Sequence, residues 1–268
     1  MILMKKNEKD TRAKSAQAAI PLIEHVSLKG DETKADIEAL CAMARGEVNT
    51  REAAAVCVYS EHVALARYFL TKSAVKVATV VNFPGGDRDA ATVGRETRAA
   101  IEAGAQEIDL VTPYMLSDKD EIFAVWNACL QECAARKIPA KLTLETGAQS
   151  WKREQLWLAW TCLQALRKGF DFLRTSTGMV PDGKGGFKSG GGVTPEALEM
   201  LLRAVRCYGD EGDRRTKGVV VAGGVHTLDD AAFYLERVSD ADHPISTRTV
   251  RLNSSKILPS AREAMALT

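Results

Sequence analysis

The chain has 268 residues, of which 46% are apolar, and this is enough for one large domain with a substantial buried core. Lysine and arginine number 36 against 35 aspartates and glutamates, so no strong field would gather polyanions or anionic lipid. We therefore expect neither nucleic acid nor a membrane as a partner. The cysteines show no Cys-x-x-Cys pair and follow no signal-like apolar segment, which favours a cytoplasmic protein without a metal or cofactor.

Short β-branched runs alternate with longer segments of helical spacing, a pattern that predicts a parallel sheet. We expect a polar arm over residues 1–19 and one domain over residues 20–268. Eight predicted strands favour a closed (β/α)8 TIM barrel. A doubly wound open sheet is the alternative, but no glycine-rich turn follows the first strand. The strands are predicted at Ile20–Val26, Ala54–Tyr59, Lys76–Phe83, Glu107–Pro113, Ala140–Thr146, Phe170–Ser176, Gly218–Gly224 and Thr247–Ser254.

One long glycine-rich segment follows the predicted sixth strand. It runs over Gly178–Gly192 and contains seven glycines, so we expect irregular backbone there. Its position on the C-terminal face of a barrel suggests either a mobile lid over a pocket or an insertion without a role. The helices between strands are predicted at Thr33–Ala44, Ala91–Ala103, Asp120–Ala135, Lys152–Lys168, Pro195–Tyr208 and Leu228–Val238.

Barrel sites lie at the carboxyl ends of the strands, so the residues there are the candidates for chemistry. Three of the carboxylates could converge on a divalent cation, but nothing in their spacing requires one and we predict no metal site. Lys141 is expected toward the opposite end of the barrel, and Lys256 is expected to point away from the centre. The strand-end candidates are Glu24, Cys57, Asn82, Asp109, Glu145, Arg174, Val220, Ser254 and Ser255.

Several short motifs occur along the chain in a specific order. They are Ile23-Glu24-His25 with Leu28-Lys29, Ala55-Val56-Cys57-Val58-Tyr59, Val81-Asn82-Phe83-Pro84-Gly85-Gly86, Glu107-Ile108-Asp109-Leu110-Val111, Leu144-Glu145-Thr146-Gly147, Asp171-Phe172-Leu173-Arg174-Thr175-Ser176-Thr177-Gly178 and Ala222-Gly223-Gly224-Val225. With these motifs the chain resembles the class I deoxyribose-phosphate aldolases, from about Pro21 to about Ser255. The resemblance implies a TIM barrel that cleaves 2-deoxyribose 5-phosphate to acetaldehyde and glyceraldehyde 3-phosphate.

The resemblance also implies a Schiff-base lysine directly before Thr-Ser-Thr-Gly, and here that position is Arg174. A second family lysine, which depresses the pKa of the first, corresponds to Val220. The family's acid–base aspartate is matched by Asp109 and its pocket cysteine by Cys57. An imine requires a neutral primary amine, and a guanidinium stays protonated at physiological pH. We therefore expect Arg174 to lie near Asp109, to fill the former substrate space and to leave the protein inactive.

The family binds phosphate with backbone amides of two glycine-containing turns. Three positions depart from that pattern: Met179 and His226 replace cations, and Leu252 replaces the glycine of the second turn. We expect weak sugar-phosphate binding or none. The matching phosphate-site positions are Thr177, Gly178, Gly223, Gly224, Ser254 and Ser255.

The expected function is that of a catalytically silent aldolase-like protein retained for binding or scaffolding. By analogy with other aldolases, a cytoskeletal partner such as actin is conceivable. The alternative is a surviving aldolase or related lyase in deoxyribonucleotide catabolism, with Asp109 and Glu145 as acid and base. The protein is expected to be a monomer or a homodimer, and tryptophans on helices either feed an interface or pack on the barrel; they are Trp126, Trp151, Trp157 and Trp160.

Overall fold

A computed structural model describes residues 14–47, 50–116, 118–147, 155–210, 216–239 and 244–266. Its centre is a closed barrel of eight parallel strands, which confirms the predicted TIM-barrel class. A separate antiparallel pair, β7 with β8, lies outside the barrel. The strands are β1 (Ile23–Val26), β2 (Ala55–Val58), β3 (Lys76–Val81), β4 (Glu107–Val111), β5 (Ala140–Thr143), β6 (Phe172–Arg174), β7 (Met179–Pro181), β8 (Phe187–Ser189), β9 (Gly218–Ala222) and β10 (Val250–Ser254).

Helices surround the barrel and begin where polar caps precede them. Thr33 and Thr227 each form a capping box with the aspartate three residues later, which satisfies amides of the first turn. Asp89 and Asp118 cap two further helices in the same way. The α-helices that follow residue 22 in the described part of the chain are α1 (Lys34–Arg45), α2 (Val63–Phe69), α3 (Ala90–Glu102), α4 (Lys119–Arg136), α5 (Gln155–Lys168), α6 (Pro195–Asp210), α7 (Leu228–Val238) and α8 (Ile257–Ala266). Short 3-10 turns cover Ile20–Leu22 and Ser60–His62.

The predicted elements differ from the observed ones mainly at their ends. The first strand begins at Ile23, because Pro21 sits in the first turn of a 3-10 helix. The sixth strand is only three residues long, Phe172–Arg174, where seven were predicted. Residues 14–19 are helical, with Ala16 and Ala19 buried, so the end of the predicted arm packs on the domain. The start of the arm lies outside the described residues, and its boundary stays a prediction.

The helix face toward the barrel carries the aromatic core. Trp126 on α4 is fully buried, and its Nε1 donates to Thr112 Oγ1 at 3.1 Å. Trp157 and Trp160 on α5 are half-buried and stack with ring centroids 4.8 Å apart. Trp151 lies outside the described residues. Within the chain as described, no helix combines the length and apolar character needed to span a membrane.

The glycine-rich segment is a β-hairpin, which corrects the expectation of irregular backbone. Met179 pairs with Ser189 and Pro181 with Phe187 across the β7–β8 ladder. The hairpin reaches the loop after β3, where a Cβ on Gly85 would lie 3.2 Å from Phe187 Cζ. The hairpin therefore extends from the end of β6 to the end of β3, over the C-terminal side of the barrel.

Candidate functional site

The centre of the barrel holds buried side chains of opposite charge. Three are carboxylates and three are cations, so their formal charges balance. They come from five strands, and each is at most 6% exposed. They are Glu24 on β1, Glu107 and Asp109 on β4, Lys141 on β5, Arg174 on β6 and Arg251 on β10.

Arg174 is enclosed by polar partners on several sides. Its Nη1 lies 2.5 Å from Asp109 Oδ2 and 3.8 Å from Glu24 Oε1. Its Nη2 donates to Asn253 Oδ1 at 3.2 Å, and its Nε donates to the Ser176 carbonyl at 3.3 Å. The structure confirms the predicted contact with Asp109. The guanidinium is 2% exposed and fills the space between β4 and β10.

Lys141 contacts the same carboxylates, so the expectation that it lies toward the opposite end of the barrel is wrong. Its Nζ is 2.5 Å from Glu24 Oε2, 2.8 Å from Glu107 Oε2 and 3.1 Å from Asp109 Oδ1. The reason is register, since Asp109 and Lys141 are direct partners between β4 and β5. The ammonium therefore lies inside the cluster that surrounds Asp109.

The cluster shifts the ionisation of its own members. Burial by itself would raise the pKa of Glu24, but Lys141 and Arg174 lower it to about 2. Burial raises the pKa of Asp109 to about 6, against the lowering effect of Lys141. Burial would lower the pKa of Lys141, yet Asp109 and the two glutamates raise it. Both central cations are consequently protonated at neutral pH.

Cys57 and Val220 border this cluster without joining the ion pairs. Burial raises the pKa of the Cys57 thiol, so it is neutral. Val220 is fully buried and packs with Phe172 and Ala222. No charge stands at this position of β9, where the resemblance implies the second lysine.

Glu24, Cys57 and Asp109 bring three ligand-type atoms within 4.8 Å of one another. A divalent cation fits them poorly, because both carboxylates already pair with Lys141 and Arg174 and the thiol is protonated. Glu145 does not join them, contrary to the convergence considered from the sequence. The three groups are therefore poor ligands for a divalent cation.

Glu145 instead organises the chain after β6. Its Oε1 accepts from Ser176 Oγ at 2.6 Å, and its Oε2 accepts from the Thr177 backbone amide at 2.8 Å and from Thr177 Oγ1. Its φ of 52° is left-handed, a conformation that these hydrogen bonds stabilise. Glu145 thus holds the hinge from which the hairpin leaves the barrel.

The positions equivalent to the phosphate site lie around the same mouth. Gly223 and Gly224 have φ of 81° and 78°, so this turn requires glycine. A Cβ on Gly192 would lie 2.8 Å from the Gly223 carbonyl oxygen, and the Val193 amide donates to that oxygen at 3.1 Å. The chain that follows the hairpin therefore packs directly on the Gly-Gly turn.

Other phosphate-site donors are already engaged inside the protein. The Gly178 amide donates to Ser176 Oγ, and the Met179 amide donates to Thr177 Oγ1. Ser254 Oγ donates to the Val225 carbonyl and accepts from the Lys256 amide. These groups would have to exchange partners to bind an anion.

Three remaining positions can be placed. Ser255 and His226 are exposed at the mouth. Leu252 lies within β10, paired with Ile23 and Val221, and it has no left-handed φ. No backbone strain therefore marks the replacement of glycine by leucine here, and weak phosphate binding stays a prediction.

The comparisons with known proteins agree with this geometry. A family model described as DeoC/LacD family aldolase matches residues 17–247. The chain belongs to this family. Three solved structures whose descriptions name deoxyribose-phosphate aldolase have the same fold as this chain. The one from Toxoplasma gondii ME49 has a TM-score of 0.82 at 21% identity, covering 97% of each chain.

The protein from Coccidioides immitis has a TM-score of 0.70 at 22% identity, and the match covers 96% of this chain and 97% of that protein. That from Aeropyrum pernix has a TM-score of 0.69 at 19% identity and covers 96% of each chain. At these identities the likeness supports the barrel fold of the aldolase family member and nothing finer.

Sequence reasoning missed part of the cluster in this aldolase family member. Asn253 links Arg174 to Glu24, donating to Glu24 Oε1 at 3.1 Å. Glu107 and Arg251 extend the network, with 3.1 Å between Glu107 Oε1 and Arg251 Nη2. One signal was present: a charged residue within a short apolar strand, as Lys141 is within β5, needs a buried partner of opposite charge.

Proposed function

We propose that this member of the aldolase family is catalytically inactive and does not cleave 2-deoxyribose 5-phosphate through an imine. It acts instead as a binding or scaffold protein. One observation carries the proposal. At the position where the resemblance implies the nucleophilic lysine stands Arg174, buried and 2.5 Å from Asp109. The side chain that replaces the nucleophile thus also engages the carboxylate that would move protons.

The chemistry of the cluster supports this proposal. An imine forms when a neutral amine attacks a carbonyl carbon and water is lost, and a protonated amine has no electron pair for that attack. Asp109 raises the pKa of Arg174, and three carboxylates raise that of Lys141. Each cation is therefore held in its unreactive form.

Borohydride trapping tests the proposal directly. The protein is incubated with 2-deoxyribose 5-phosphate or acetaldehyde, reduced with borohydride and mapped by mass spectrometry after proteolysis. We expect no reduced adduct on Lys141, whereas an active class I aldolase treated in parallel is labelled. An adduct on Lys141 that requires substrate would refute the proposal.

A gain-of-function variant locates the block. In Arg174→Lys/Val220→Lys, both family lysines are restored, and Asp109 remains available. Turnover in the aldolase assay would mean that only the lysines were missing. No turnover in a folded double variant would place a further block at Met179 and His226, and the single Arg174→Lys variant serves as the matched control.

A scaffold role requires a partner, and we propose a cytoskeletal protein such as filamentous actin by analogy with other aldolases. Co-sedimentation of the protein with actin filaments tests this, with bovine serum albumin as the control. Failure to co-sediment would exclude actin as a partner and would not bear on the proposed loss of imine chemistry. Sedimentation velocity of the free protein distinguishes a monomer from a homodimer.

A second candidate is a lyase or isomerase that works without an imine, and one observation favours it. Burial raises the pKa of Asp109 to about 6, which suits a group that exchanges protons near neutrality. Asp109→Asn would abolish such an activity. Turnover that survives this substitution removes the second candidate.

A further inference from the structure

The N-terminal end of the barrel contains a cavity far from the hairpin. Its volume is about 830 Å³, within the range of small-molecule pockets. Its wall includes the starts of several strands, among them Lys76 of β3, Phe172 of β6 and Arg251 of β10. We propose that this N-terminal cavity binds a small molecule through an anionic oxygen group, a phosphate or a carboxylate.

Arg251 is the first observation behind the proposal. The residue is 6% exposed, and its Nη2 binds Glu107 Oε1 at 3.1 Å. Its Nε and Nη1 are shielded from solvent and have no hydrogen-bond partner in the described part of the chain. Unpaired buried donors cost about 1–3 kcal/mol. An anion in the cavity would satisfy them once the guanidinium rotates toward it.

The charges of the cavity wall are the second observation. Its carboxylates are already engaged: Glu52 accepts from Ser73 Oγ at 2.7 Å and from the Ala74 amide at 2.9 Å. Asp171 accepts from the Ala140 amide at 3.1 Å.

Glu107 is shared between Lys141 and Arg251. On the rim of the cavity, Lys76 and Arg248 are exposed and form no ion pair within the described residues. The formal charges of the cavity wall balance, with three cations against three carboxylates. The charged side chains of the wall that lack a hydrogen bond or ion pair within the described residues are the cations Lys76 and Arg248.

The shape of the wall suggests which kind of molecule fits. Pro21, Ala54 and Pro139 supply small apolar surfaces, and the Phe172 ring adds a flat one. Such a wall suits a compact body that carries one anionic group toward Arg251 and a second polar group toward the rim. Nucleic acid is too large for a cavity of this volume.

Isothermal titration calorimetry at low ionic strength tests the proposal with two probes, inorganic phosphate and citrate. We expect saturable binding of at least one at millimolar concentration, and the better probe tells phosphate from carboxylate. Arg251→Gln should weaken it about tenfold, or about 1.4 kcal/mol. Lys76→Gln/Arg248→Gln changes only exposed cations, folds normally and should weaken it about threefold.

Two further variants separate this cavity from the rest of the protein. Arg203→Gln removes an exposed cation on α6 outside the cavity and should leave binding unchanged. Ser255→Asp adds a negative charge at the C-terminal mouth and should also leave it unchanged. Absence of binding by both probes overturns the proposal, as does binding that Ser255→Asp removes and Lys76→Gln/Arg248→Gln does not. Neither result touches the proposed loss of imine chemistry.

Discussion

The two ends of the barrel use the same residue types in different ways. Toward the C-terminal end, Arg174 is surrounded by partners and the hairpin extends over the mouth. Toward the N-terminal end, Arg251 has two nitrogens without a hydrogen-bond partner among the described residues, beside an open cavity of about 830 Å³. TIM-barrel ligands normally bind at the C-terminal face. In this protein the described residues also form a cavity at the opposite end, and four predictions test the contrast between the two ends.

The largest effect is expected when Asp109 is removed. Asp109→Ala leaves Arg174 without its closest carboxylate in a buried site, which should lower the free energy of unfolding by about 3–5 kcal/mol. Glu52→Gln at the N-terminal cavity keeps an acceptor for its neighbours and should change it by less than about 1 kcal/mol. Urea unfolding monitored by tryptophan fluorescence measures both. Equal losses in the two variants would contradict the contrast.

The two arginines give the second prediction. Arg174→Met breaks ion pairs with Asp109 and Glu24 and should cost about 3 kcal/mol of unfolding free energy. Arg251→Met leaves Glu107 paired with Lys141 and removes two unpaired nitrogens, so about 1 kcal/mol is expected. The same denaturation measurement applies, because both side chains are replaced by one of similar length. A larger loss in Arg251→Met would mean that the N-terminal guanidinium is the structural one.

These contrasts also mark how far the sequence predicted the molecule. The barrel was predictable because apolar strands and amphipathic segments alternate eight times. The contact between Arg174 and Asp109 was predictable as well, since a buried guanidinium needs a carboxylate. Lys141 was misplaced because the offset between neighbouring strands of a barrel depends on its shear, which no single strand encodes. The hairpin was missed because seven glycines in the segment hide its strand pattern.

The third prediction concerns the hairpin as a cover for the C-terminal mouth. In Gly192→Val, the new side chain would collide with the Gly223 carbonyl, 2.8 Å from the position of its Cβ. The hairpin should then detach from the Gly-Gly turn and expose the cluster beneath it. Alkylation of the buried thiol of Cys57, followed by mass spectrometry, should accelerate about tenfold, or about 1.4 kcal/mol of opening free energy.

Gly183→Ala is the matched control for this variant, because both glycines have a positive φ but a Cβ on Gly183 meets no neighbouring atom, so only Gly192→Val adds the collision. Cys129, a buried residue of α4, reports on global unfolding in the same digest. If Cys129 accelerates together with Cys57, the substitution has destabilised the whole barrel and the hairpin is no cover.

The smallest effect is the pH dependence of the central cluster. The folded pKa of Glu24 is lowered to about 2 from 4.5, so its stabilisation is present above pH 4.5 and is lost as the pH falls toward 2. The difference in unfolding free energy between the wild type and Glu24→Gln should narrow by about 1 kcal/mol between roughly pH 4.5 and 3.5. Urea unfolding at a series of pH values measures the difference.

Asp109 supplies the opposite sign within the same cluster. Its folded pKa is raised to about 6 from 3.8, so the stability linked to its proton is complete below pH 3.8 and is lost as the pH rises through 6. The unfolding free energy of the wild type minus that of Asp109→Asn should therefore rise as the pH falls from about 6 to about 4, because asparagine is neutral at every pH. If the unfolding free energies of Glu24→Gln and Asp109→Asn changed with pH in parallel, the carboxylates would titrate independently of Lys141 and Arg174. The charged side chains at the C-terminal end would then be no more strongly coupled than those at the N-terminal cavity.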